Sequence, residues 1–325
     1  MDYVQLGLRG PQVSRIAFGN WSAGGDWGSV DRYAAVAAHR AALDLGITFF
    51  DTARAYGFGA AEELLGEALA PELRSRRDEL VIATKGGLRR GPDGKPVRDT
   101  SGGALRRDLE ASLRSIGVDY VDLYQIHWPD PATPLAETAE ALADFKREGK
   151  IRQVGVSNFD ARQMAALGQI LPIDALQPPY HLFRREIESS ILPYTAEHGI
   201  GVLVYGPLAH GLLTGRMTEA TTFALDDWRA TSELFQGDAF RRNLRVVEEL
   251  KAFAAERGIT VAQLAIAWTL ANPAVQVAIV GARNPAQITA TAPAAEVRLT
   301  ADDLAQIDNI TRSEVPVGGP TPERV

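Results

Sequence analysis

Gly46-Ile47-Thr48-Phe49-Phe50-Asp51 decides the fold. Four apolar or β-branched residues stand between a glycine and a carboxylate, without polar alternation. A strand buried on both faces reads this way, and such strands belong to parallel sheets. The pattern recurs at Leu80 to Thr84, ahead of Lys85, and at Val121 to Ile126, ahead of His127. Further short strands are predicted at Ala17 to Gly19, Gln153 to Val156, Ala175 to Gln177, Gly201 to Val204 and Val277 to Val280. With Thr48 to Asp51 they make eight.

Helical spacing fills the gaps. Asp31 to Leu45 starts at a capping residue and ends at Gly46. Ser101 to Ile116 stops at Gly117, and Pro134 to Glu148 has proline in its first turn and Gly149 beyond its end. Asp160 to Leu171, Glu186 to His198 and Phe240 to Arg257 follow, and Pro285 opens a helix after the last strand. Strand and helix in alternation predict an α/β fold of the (β/α)8 TIM-barrel type. Residues 3–16 read as an N-terminal hairpin lidding the barrel bottom. Thr260 to Leu270 and Thr300 to Ile310 read as extra C-terminal helices. Residues 1–325 are expected to form a single domain, with a mobile proline- and glycine-rich tail over 316–325.

Composition narrows the function classes. The chain has 325 residues, 46% of them hydrophobic, enough for a large core. A net charge of −7 argues against a nucleic-acid partner, which needs a basic face. No cysteine is present, so a disulfide framework and a thiolate zinc site are excluded. No apolar run reaches membrane-spanning length. The expectation is a soluble cytoplasmic protein acting on small molecules, with no metal.

In such barrels the active site sits at the C-terminal strand ends. Asp51, Lys85 and His127 are all placed there, and Tyr56 follows Asp51 by five residues. A tyrosine ordinarily ionises near pH ~10, and a neighbouring ammonium favours the phenolate. Asp51 would keep a buried Lys85 charged. His127 would donate to an oxygen on which charge builds. The set suits protonating a carbonyl oxygen or deprotonating an alcohol, and it needs a hydride carrier. Taken singly, each residue has a plainer reading. Tyr56 fits a surface turn, Asp51 a strand cap, His127 a core imidazole, and Lys85 the Schiff-base amine of a barrel lyase.

The stretch from Gly46 to Ala53 with Tyr56-Gly57 and Glu62-Glu63-Leu64-Leu65-Gly66 resembles the first signature of the aldo-keto reductases. Ala83-Thr84-Lys85, Tyr124 to Asp130, Gly149 to Arg152, Gly155 to Phe159 and Gly211 to Gly215 fit the same family. The match runs from about residue 3 to residue 312 and is closest to a bacterial branch holding general-stress and inositol-locus reductases. It implies an NADPH-dependent carbonyl reductase working on an aldehyde or ketone, or on the alcohol in reverse. Tyr56 would be the general acid, tuned by Lys85 and Asp51, with His127 orienting the carbonyl.

The resemblance also implies the cofactor contacts. Ser157, Asn158 and Gln177 would hold the carboxamide, and Tyr205 would stack on the nicotinamide. Gly206, Pro207, Leu208 and Gly211 would meet the pyrophosphate, with Arg216 as charge partner. Gly281 would place Arg283 on the 2′-phosphate, beside Gln287, so NADPH is expected over NADH. No GxGxxG follows a strand, so phosphates must be caught by barrel loops. Three departures stand out: Gly206 where the branch has serine, His210 where it has glutamine or arginine, and Ala290-Thr291 where a Glu-Asn pair meets adenine. The last implies a weaker hold on the adenine. Trp21, Trp27, Trp128 and Phe58 follow early strand ends and are candidates for an aromatic substrate pocket, against a plain rim-packing role. Residues 219–240, with Trp228 and Phe235, are expected to fold over the substrate. Potassium-channel β-subunits share the fold and tetrad, which leaves a cofactor-binding regulatory protein as the second reading. The family spans monomers to larger rings, so the resemblance sets no oligomeric state.

Overall fold

A computed structural model describes residues 1–25, 27–92, 94–224 and 227–319. The N-terminal hairpin pairs β1 (Tyr3–Gln5) with β2 (Gln12–Ser14) antiparallel. Eight strands then close a parallel barrel, β3 (Ile16–Gly19), β4 (Phe49–Asp51), β5 (Val81–Gly86), β8 (Val121–Ile126), β9 (Ile151–Ser157), β10 (Ala175–Gln177), β11 (Gly201–Tyr205) and β12 (Val277–Gly281). Between β5 and β8 lies a second hairpin of β6 (Leu88–Arg90) and β7 (Pro96–Arg98).

Side chains alternate across each barrel strand, and the alternation sorts the core. Ala17, Phe49, Val81, Ala83, Leu123, Ala175, Leu203, Val277 and Ile279 fill the interior. Phe18, Phe50, Ile82, Tyr124, Leu176 and Val204 point outward under the helices. Leu6 and Val13 of the first hairpin join the interior cluster, so the expected bottom lid is a plug. Its turn is tied down where Leu8 N–H donates to Gly199 O at 3.0 Å and Arg9 meets Asp174 at 2.9 Å.

The helices are α1 (Arg32–Asp44), α2 (Ala60–Ser75), α3 (Gly102–Ile116), α4 (Leu135–Arg147), α5 (Ala161–Gly168), α6 (Ile191–His198), α7 (Gly237–Ala255), α8 (Val261–Ala271), α9 (Pro285–Thr291) and α10 (Ala301–Thr311). Asp31, Ser101, Asp160 and Thr260 cap their helices by side-chain acceptance. Two elements went unmarked in the sequence pattern. Helix α2 carries Pro71 inside it, and β6–β7 lies in an arginine-, proline- and glycine-rich run. Gly66 of α2 lies so close to α3 that a Cβ would stand 2.5 Å from Ile116 O. The predicted helix from Glu186 to His198 is broken. A 3-10 turn at Glu186–Ser189 ends where Ser190 leaves helical geometry at φ −144°, and Pro193 sits in the first turn of α6.

The tail is held as far as Val317, which is fully buried and donates its N–H to Phe183 O at 2.8 Å. Residues 320–325 lie outside the described residues. No described helix is long and apolar enough to cross a membrane.

Candidate active site

Period-two alternation aims one column of each strand at the barrel mouth. On β4 the inward set is Phe49 and Asp51. On β5 it is Val81, Ala83 and Lys85. The β8 column runs Leu123, Gln125 and then His127, just past the strand end. Three of the four expected reactive groups thus follow from the same strand phase as the apolar core beneath them.

Lys85 is fully buried and Asp51 is 2% exposed. The ammonium donates to Asp51 Oδ2 at 2.7 Å, to Thr52 O at 2.9 Å and to Tyr56 Oη at 3.2 Å. Its three N–H groups are all committed. Burial lowers the Lys85 pKa from its ordinary value, and Asp51 pulls it back. An enclosed, fully bonded ammonium is poorly suited to attack a carbonyl, which counts against the Schiff-base reading.

Asp51 is itself buttressed. Gln177 Nε2 donates to Oδ1 at 2.8 Å, and Gln125 Nε2 reaches the same oxygen at 3.4 Å. Gln177 therefore touches the Asp51 carboxylate as well as the cavity. Gln125 was not picked out from the sequence. Its signal was available, because it stands two residues before His127 on the inward face.

Tyr56 rides on a turn of unusual backbone. Gly57, Phe58 and Gly59 have φ of 59°, 49° and 116°. Such left-handed residues are strained for a side chain like phenylalanine and persist only when the surroundings hold them. Here Arg54 does so: its N–H donates to Lys85 O at 3.0 Å, and its guanidinium pairs with fully buried Glu62 at 3.0 Å. Thr84 Oγ1 donates to the same carboxylate at 2.7 Å.

The His127 ring stands edge-on to Tyr56, 5.6 Å between centroids. Burial, then the Lys85 charge, hold its pKa well below the ordinary histidine value, so the imidazole is neutral. Its Nδ1 is buried without a partner among the described residues. Asn158, at φ 62°, donates Nδ2 to His127 O at 3.0 Å and accepts from Tyr205 Oη at 2.9 Å. Ser157 Oγ donates to Gln177 O at 2.9 Å.

One cavity of about 1120 Å³ opens over this set. Asp51, Tyr56 and His127 line it, with Lys85 directly behind. So do Ser157, Asn158, Gln177, Tyr205, Gly206, Pro207, Leu208, Gly211, Arg216, Gly281, Arg283 and Gln287, together with Trp21, Trp27, Trp128 and Phe58. Trp21 stacks on Tyr56 at 6.3 Å and meets Trp27 edge-on at 5.0 Å. His210 lies 5.0 Å edge-on from Trp228, and Trp27 pairs with Asp227 in a lone β-bridge. Trp27 thus meets His210, Asp227 and Trp228 across the cavity. Arg283 donates to the carbonyls of Trp27 and Ser29. Ala290 and Thr291 line the same cavity.

Four buried histidines give a pH prediction. Burial lowers His39 to about 4 and His210 to about 3, and holds His127 and His181 well below their ordinary range. Each is neutral in the fold and protonates on unfolding below its unfolded value near ~6.5, so acid favours the unfolded chain by up to about 1.4 kcal/mol per pH unit per group. Asp108, raised to about 6, and Glu314, raised to about 7, work in the opposite sense but are fewer. Thermal melts should show the melting temperature falling as pH drops from 7 to 5. A melting temperature that rises over that interval would contradict the burial of these rings.

Residues 15–312 match the family model described as the aldo/keto reductase family. Aldo-keto reductase YhdN of Bacillus subtilis (strain 168) is 41% identical over 322 residues, 98% of this chain and 96% of that protein. The NADH-specific methylglyoxal reductase of Escherichia coli (strain K12) is 32% identical over 318 residues, 93% and 96% of the two chains. Among solved structures, the glycerol dehydrogenase AKR11B4 from Gluconobacter oxydans superposes with a TM-score of 0.88 at 39% identity, covering 98% of both chains.

Proposed function

This chain belongs to the aldo/keto reductase family, and on that premise we propose that it is an NADPH-dependent carbonyl reductase with Tyr56 as its general acid. The observation that carries the reading is the buried Asp51–Lys85–Tyr56 chain, 2.7 and 3.2 Å in its two links. The residues lining the cavity fit a nicotinamide dinucleotide. Asn158, Ser157 and Tyr205 offer amide, hydroxyl and aromatic partners beside the tetrad, Gly206 and Gly211 keep the backbone open, and Arg216 and Arg283 supply positive charge. When bound, the nicotinamide supplies the hydride.

The protein's own residues do the rest. His127, neutral and close to Tyr56, donates a hydrogen bond that orients the carbonyl oxygen. Tyr56 Oη gives that oxygen its proton. Lys85 stabilises the phenolate left behind, and Asp51 with its two glutamines keeps the ammonium charged and in place. The tryptophans shape an apolar space for the substrate and limit water.

Arg283 is the residue we give to the 2′-phosphate, where a planar fork suits phosphate oxygens. To grip it, the guanidinium exchanges its Trp27 and Ser29 carbonyl partners. Fluorescence titration should therefore show tighter NADPH than NADH binding, and Arg283→Ala should weaken NADPH roughly ten-fold while sparing NADH. Equal affinities in the wild type would refute the assignment. The reaction class is tested by a panel of aldehydes and ketones with NADPH, followed at the nicotinamide absorbance. No oxidation with any of them would defeat it.

A further inference from the structure

The cavity is far more cationic than the molecule. The chain has a net charge of −7, yet among the described residues the cavity's charged lining is Asp51 against Arg90, Lys95, Arg216, Arg229 and Arg283. Asp51 is paired with Lys85, and Arg229 with Asp227. Arg216 and Arg283 are assigned above to the cofactor phosphates. Arg90 and Lys95 sit on the β6–β7 hairpin, and nothing in the reaction so far uses them.

Strand register explains how Arg90 reaches the cavity. Leu88 faces Arg98, Arg89 faces Val97, and Arg90 faces Pro96. Alternation puts Leu88, Arg90 and Pro96 on one face, and all three line the cavity. Arg89 turns away and pairs with Asp99 at 3.1 Å. The Arg90 guanidinium lies 4.4 Å over the ring of Phe58, two residues beyond Tyr56. Among the described residues it makes no hydrogen bond or ion pair. The left-handed turn that presents the phenol therefore also presents a ring that holds a cation in place, with its planar donors free.

We propose that Arg90 recognises an anionic group on the tail of the carbonyl substrate, so that the enzyme's substrates are aldehydes or ketones bearing a carboxylate or a phosphate. The inference rests on the reductase reading. Both anions present paired oxygens to a guanidinium fork. Phe58 keeps that fork oriented before the substrate arrives, which lowers the ordering cost of binding.

Matched substrate pairs test it: succinic semialdehyde against butanal, and glyceraldehyde phosphate against glyceraldehyde, with wild type and Arg90→Gln. The wild type should favour the charged member. The substitution should cut kcat/KM for the charged member roughly ten-fold more than for the neutral one, chiefly through KM. Added salt should lower the wild-type preference in the same direction. The pair with the larger preference identifies carboxylate or phosphate. Reduction of the neutral aldehydes with no charge preference, or a preference that survives Arg90→Gln, overturns the proposal and leaves the reductase reading standing. No turnover of any of these aldehydes removes both.

Discussion

Tyr56→Phe should bind NADPH as the wild type does and turn over about a thousand-fold more slowly, within the range of one positioned acid. The substitution removes one oxygen and keeps the ring. Trp21 retains its stacking partner and His127 its edge contact. Lys85 keeps Asp51 and Thr52 O as acceptors, so its charge stays satisfied. What disappears is the one hydroxyl, among the described residues, to which the buried ammonium donates. The loss should fall on kcat, because the proton is needed in the transition state rather than for binding. Turnover within a few-fold of wild type would mean that another group, or water, protonates the carbonyl oxygen.

Lys85→Met should be damaging twice over. The Lys85–Asp51 pair is 2.7 Å long, with side-chain exposures of 0% and 3%. Desolvating two charges is costly, and breaking such a pair strands the surviving carboxylate, at a typical cost of about 3–5 kcal/mol. Gln177 and Gln125 soften this by donating to Asp51 Oδ1 but do not replace the cation. Activity should fall about as far as in Tyr56→Phe, because the phenolate loses its stabilising charge. The double variant Asp51→Asn/Lys85→Met separates the two effects. With no buried charge left unpaired, it should regain most of the stability in urea titrations and none of the turnover. If the single variant unfolds at the wild-type urea concentration, the pair is more hydrated than its burial indicates. If the double variant turns over, the cation is not part of the acid.

Much of this was legible in the sequence because both fold and site depend on strand phase. Gly46 to Asp51 shows apolar residues on both faces, which a parallel barrel demands, and the same alternation carries Asp51, Lys85 and His127 to one rim. The first hairpin was legible over residues 3–16. Other features come from long-range packing that leaves no local mark. Helix α2 hides behind Pro71 and the Gly57–Gly59 turn. Hairpin β6–β7 hides in a run that reads as loop. The broken helix at Ser190 depends on how its two halves dock, and the clasp of Trp27, His210 and Trp228 joins loops about two hundred residues apart. Gln125 is the exception. Its polar side chain in the middle of an apolar strand, in phase with His127, was readable and points to the carboxylate it supports.

The central claim, that a phenol backed by a buried ammonium delivers the proton, is tested most directly by the pH profile of kcat/KM for aldehyde reduction in wild type and Tyr56→Phe. Only the protonated phenol donates, so the wild type should decline along a one-proton alkaline limb, and the residual turnover of the variant should stay level over the same range. An identical alkaline limb in the variant would contradict the account.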